Sequence, residues 1–207
     1  MKRFIGLLLT VVMAFSVVAC SKDTNEENVD VPSTEQGTNE SGDTAQTEDN
    51  QTNYGVGVSL EDVKAAVVDA LGENYWPDTD ISADMLKDIY GISDDMYEEF
   101  YAQMPMISTN VDTIIIVKAK EDKVTAVEDA LNAYREVMIN DTMQYPMNIG
   151  KIQASRIETF GQYVSFVQLG ADTMEASETG DEAVIEQCQQ DNELALEVIE
   201  NTLAKNQ

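Results

Sequence analysis

From residue 59 onward the apolar positions follow a helical period, give way to strand-like runs, and return to it. Ser59 followed by Asp62 reads as an N-cap with its reciprocal acid, and Leu60, Val63, Val67, Ala70 and Leu71 mark one face of a helix ending near Gly72. Trp76 and Pro77 break that pattern. A short helix is expected from about Ser82 to Tyr90, stopped by Gly91. A strand-like piece follows at Met96 to Met104, then a clearer one at Val111 to Ala119, whose centre, Ile114 to Val117, is β-branched throughout. Between them MPMISTN reads as a turn or edge segment, because Pro105 has no amide hydrogen to give a ladder.

A long helix is expected over Glu121 to Ile139, where Val124, Val127, Leu131, Tyr134 and Met138 are spaced by three and four. The stretch Tyr145 to Asn148 reads as irregular. Two strands follow at about Ile152 to Phe160 and Tyr163 to Leu169, with Gly161 and Gln162 as the hairpin turn. The last helix starts after Thr179 on a stripe of Ile185, Cys188, Ala195, Ile199 and Leu203, and Asn192 falls on the same phase as a polar flaw. The order from residue 96 is strand, strand, helix, strand, strand, helix. It predicts an α+β domain: an antiparallel sheet with its helices packed on one face, plus an N-terminal helical segment. A ferredoxin-like arrangement of the strand-strand-helix repeats is one solution, since helix placement alone does not set strand order.

The first 53 residues have a different character. Lys2 and Arg3 precede an almost wholly apolar run from Phe4 to Ala19, which is a signal-peptide pattern. At 16 residues the run makes about 24 Å of helix, short of a hydrocarbon layer of about 30 Å. Val17, Val18, Ala19 and Cys20 look like a lipobox, so residues 1–19 are expected to be a leader and Cys20 the lipid attachment site. Two acyl chains on Cys20 suffice for stable anchoring. Residues 20–53 carry nine acids, one lysine and two valines as their only large apolar residues. Such a stretch cannot offset the entropy of ordering and is expected to be a disordered linker. Residues 54–207 then form one soluble domain on the extracytoplasmic face of the plasma membrane.

Charge narrows the list of partners. The chain carries −27, and loss of Lys2 and Arg3 with the leader takes it to −29. Such a field repels nucleic acid. Another envelope protein or a cell-wall component remains as a partner besides the membrane.

Chemistry is sparse. With no histidine, triads and imidazole metal sites are excluded. Cys188 lies on an apolar stripe and reads as a small buried hydrophobe. Asp78, Asp80, Ser82 and Asp84 alternate like the first ligands of a calcium loop, but Ala83 replaces the glycine and Ile89 the bidentate glutamate. Asp94, Asp95, Glu98 and Glu99 are the carboxylates that an alternative reading, a wall-polymer hydrolase, would draw on. No catalytic, cofactor or metal residue is assigned. Tyr97, Phe100, Tyr101, Met104, Met106, Tyr145 and Met147 cluster around two proline-containing stretches and suggest either core filling or an adaptable contact patch.

YAQMPMISTNVDTIIIVKAKEDKVTAVEDAL, from Tyr101 to Leu131, and RIETFGQYVSFVQ, from Arg156 to Gln168, carry a resemblance. In combination, MPMI, a loop with Asn110 and Asp112, an aliphatic strand and an acidic helix resemble the bacterial lipoproteins carrying domain of unknown function 4358, over roughly Leu86 to Leu203. The resemblance implies a short exported lipoprotein with a single domain at a Gram-positive envelope. It implies no activity and no catalytic residues. The expected protein is a non-catalytic binding or interaction module without a cofactor.

Overall fold

The computed structural model describes residues 53–204. The leader (1–19), Cys20 and the linker up to residue 52 lie outside the described residues. Five strands form one sheet: β1 (Thr79–Asp80), β2 (Tyr97–Met104), β3 (Thr113–Ala119), β4 (Arg156–Phe160) and β5 (Tyr163–Gln168). Their order is β1-β2-β3-β5-β4, and every neighbouring pair is antiparallel. The α+β class and the antiparallel sheet are as the sequence predicts. The ferredoxin-like arrangement is not found. Two hairpins, β2–β3 and β4–β5, lie side by side and meet through β3 and β5.

Six helices accompany the sheet: α1 (Leu60–Leu71), α2 (Ala83–Tyr90), α3 (Val124–Asn140), α4 (Pro146–Ala154), α5 (Met174–Thr179) and α6 (Asp181–Leu203). They cover both faces of the sheet, which corrects the expectation of one. Ile114 and Ile116 pack with Val63 and Val67 of α1 and Ala195 and Ile199 of α6. Ile115 and Val117 pack with Leu86 of α2 and Val127 and Leu131 of α3. The physical reason is in β3 itself: a continuous apolar run has no polar side to give to water, so both of its faces need a helical layer. Each of these four fully buried side chains contributes about 1.5–3 kcal/mol.

Local signals hold where they are strong. Ser59 Oγ accepts from the Asp62 amide at 3.2 Å while the Ser59 amide donates to Asp62 Oδ2 at 3.1 Å, closing the capping box of α1. Gly91, at φ +75°, ends α2 in the left-handed conformation that glycine adopts without strain. Asn192, the flaw in the α6 stripe, is fully buried. Its Oδ1 accepts from the Leu169 amide at 2.9 Å and its Nδ2 donates to the Ala154 carbonyl at 2.9 Å, so it ties α6 to the end of α4 and to the chain leaving β5.

The largest correction concerns residues 146–154, expected as irregular chain and the start of a strand. They form α4, with Pro146 in its first turn, where a missing amide costs nothing. Gly150 lets this helix press on α6: a Cβ there would stand 2.5 Å from Val184 Cγ1.

The two ends of the sheet differ. Gly55 N donates to the Leu203 carbonyl at 2.7 Å, and Tyr54 packs on Phe160, so the chain enters the domain beside the β4–β5 turn and the end of α6. The opposite end, where β2 and β5 finish, is built from the loops around 105–112 and 169–173 and the start of α4.

Candidate functional site

The far end of the sheet holds a buried ion pair. Asp112, just before β3, is fully buried, and Lys151 reaches it from α4 with Nζ 2.6 Å from Oδ1. The ammonium also donates to the Ala171 carbonyl at 2.7 Å and to Asn110 Oδ1 at 3.3 Å, which commits its three protons. Asp112 Oδ2 in turn accepts from the Ala171 amide at 3.0 Å. Burial pushes the Asp112 carboxyl above the ordinary carboxylate range, against the pull of Lys151 and of the Ala171 and Gly170 amides.

Ala171 is held by the pair through both of its backbone polar groups, and it sits at φ +43°, which costs a residue with a Cβ roughly 1–2 kcal/mol. Gly170 before it has no room for a side chain, since a Cβ would lie 2.5 Å from Cys188 Sγ and 3.2 Å from Lys151 Cγ. The ion pair thereby sets the path of the loop that follows β5.

Above the pair lies a cavity of about 480 Å³. Its walls are largely apolar: Trp76, Pro105, Ile107, Met147 and Met174 surround Lys151, whose Nζ is 5.3 Å from the centre of the Trp76 ring. Ile107, Met147 and Met174 are 67, 60 and 75% exposed, so the rim is an apolar surface open to water. Asp78 and Asp172 supply negative charge at the lining. Asp78 Oδ1 accepts from the Met106 amide at 2.7 Å, and Asp172 Oδ1 from the Met174 amide at 2.9 Å. A second cavity of about 500 Å³ continues past Met147, Thr173 and Met174, between α4 and α6, and is lined further by Ile149, Val184, Ile185 and Asp181. Of the residues lining the two cavities, Lys151 alone is cationic.

The aromatic and methionine cluster is divided by the fold. Tyr97, Phe100, Tyr101 and Met104 pack against the two cores, whereas Met106, Tyr145 and Met147 are exposed. The two proline-containing stretches do meet: Pro105, Ile107 and Met147 line one cavity, and Asn148 Nδ2 donates to the Thr109 carbonyl at 3.0 Å.

The alternating acids before α2 serve structure. Asp80 Oδ1 accepts from Gln103 Nε2 at 2.7 Å across β1 and β2, and Ser82 Oγ accepts from the Met85 amide as the cap of α2. Among the described residues no three or more His, Cys, Asp or Glu side chains gather where they could hold a metal ion. Cys188 is buried, and desolvation pushes its thiol up to about 12. Asp191 is nearly buried, its Oδ2 has no hydrogen-bond partner, and burial, with Asp112 nearby, raises its pKa. Neither Asp112 nor Asp191 lines the cavity.

Lys151, Trp76 and Met174 were not legible as one site beforehand. The available signal was a single lysine between Ile149 and Ile152 in a chain with 39 acids, and that alone does not distinguish a buried pair from a surface charge.

Residues 70–169 match the family model described as a domain of unknown function, DUF4358. The match spans all five strands and the Asp112–Lys151 pair. No curated protein and no solved structure gives a significant match. No helix of the described residues is long and apolar enough to cross a membrane.

Proposed function

We propose that the protein is a non-catalytic binding module, tethered by a diacylglyceryl group on Cys20 to the extracytoplasmic face of the plasma membrane, and that it engages its partner at the cavity beneath Trp76, Ile107, Met147 and Met174. The observation that carries this reading is an open apolar cavity over an ion pair that is already satisfied. Lys151 has no proton left to direct at a substrate, so what the site offers a ligand is apolar contact area, which releases water on binding. Position agrees with a tethered role. The six residues of β5, about 20 Å of strand, separate the point where the chain enters from the end of the sheet that holds the cavity.

The test is site-specific photocrosslinking in intact cells, with the reactive side chain at Ile107 or Met147 and, as control, at Val137, an exposed residue of α3. The expected result is one exported protein or wall component attached at 107 and 147 and not at 137. Cys20→Ala should release the protein from the membrane fraction or leave an unprocessed precursor. Equal labelling at all three positions would remove the cavity as the binding site, and wild-type levels of mature protein in the membrane fraction of Cys20→Ala would remove the lipid anchor.

A further inference from the structure

Resting on that reading, we infer that the occupant of the cavity is a basic segment of another exported protein, with two apolar side chains that enter the two adjoining cavities and Lys or Arg residues that face Asp78, Asp172 and Asp181.

Shape supplies the first part. The cavities of about 480 and 500 Å³ share Met147, Thr173 and Met174, which stand as the divide between them. An extended peptide passing over the divide sets successive side chains of one face into either side. The two methionines are unbranched and polarisable, and adapt their shape to what they touch.

Charge supplies the second. Three acids line the two cavities, and their one cation is spent on Asp112. The whole chain adds a negative field, so an anionic occupant such as a phosphate-bearing wall polymer or an acidic headgroup is repelled. A cationic peptide is steered in and held at the rim, where its charges stay partly hydrated and lose little on binding.

The test uses the lipidated chain in phosphatidylcholine vesicles and a random decapeptide library as the probe. The same vesicles carrying Ile107→Ser with Met147→Ser, which withdraws the apolar contact without changing the charge, serve for subtraction. Trp76 is the only tryptophan of the chain, so its emission reports occupancy directly when tryptophan-free versions of the selected peptides are titrated. Selected sequences should combine at least two Lys or Arg with two large apolar residues. They should bind about tenfold more tightly than versions with Glu in place of the basic residues, and the gap should narrow steeply at about 1 M salt. Asp78→Asn with Asp172→Asn keeps an oxygen for the Met106 and Met174 amides while removing the charge, and should shrink the gap in the same way.

Selection of neutral or acidic apolar peptides, or a gap indifferent to the two asparagines, overturns the charge preference and leaves the cavity as a binding site. No selection above the blocked variant overturns the cavity itself. A change in Trp76 emission on adding phosphatidylglycerol vesicles, absent from the blocked variant, assigns the site to a membrane surface instead.

Discussion

Removing one partner of the Asp112–Lys151 pair should cost far more than removing both. Asp112→Asn leaves an ammonium buried without a carboxylate, and Lys151→Met leaves a fully buried carboxylate facing only backbone amides. Breaking a buried pair in this way costs about 3–5 kcal/mol, whereas exchanging both charges for neutral groups of similar size is often close to neutral. The double variant keeps an oxygen at position 112 for the Ala171 amide and loses one bond to the Ala171 carbonyl, about 1–2 kcal/mol. A coupling of at least about 3 kcal/mol follows, a large part of the 5–15 kcal/mol that stabilises a typical domain. Each single variant should melt roughly 10 °C lower than wild type. Urea unfolding followed by far-ultraviolet circular dichroism measures the cycle without relying on Trp76, which the lysine approaches. Additive single effects, with coupling below about 0.5 kcal/mol, would show that the pair is solvated and does not hold the loop at Ala171.

Asn192→Leu should cost about 2–4 kcal/mol in the same unfolding assay, because the Leu169 amide and the Ala154 carbonyl each lose their buried partner. Gly150→Ala should destabilise by about 1–3 kcal/mol through contact with Val184, and Val184→Ala in the same chain should recover most of it. Asp191 titrates above its unfolded value, so the folded state binds the extra proton between the two pKa values and this group's contribution to stability falls as pH rises through that window. Asp191→Asn should therefore be more stable than wild type at pH 7. The advantage should disappear as pH falls to about 4, and an advantage that grew toward acid would contradict the desolvation of this carboxylate.

Much of the architecture is local and therefore readable. The capping box at Ser59 and Asp62, Gly91 ending α2, the β-branched run of β3 and the stripe of α3 are decided within a few residues of themselves, and the folded chain realises each of them. The number of helical layers was also written in the chain, because TIIIV and YVSFV have no polar face. The alternation expected of a sheet with a wet face is absent from both strands. Residues 146–154 were illegible for a different reason. Gly150 argues against a helix in isolation, and it is packing on α6, where only a glycine fits against Val184, that makes the helix stable.

The site belongs wholly to tertiary structure. Asp112 and Lys151 are 39 residues apart and Trp76 is 75 from Lys151, so their meeting depends on the order of the strands and on which face α4 takes. By itself the sequence determined the local elements with strong caps or stripes, the excess of acid, and the absence of histidine that closes off imidazole chemistry. Only the fold decided that Asn192 is a tie between α4, α6 and the end of β5, that four residues of the aromatic and methionine cluster pack on the cores while three face water, and that the one cation at the cavity is neutralised from below. Those outcomes rest on desolvation, and a side chain acquires or loses its water only when segments distant in the chain close over it.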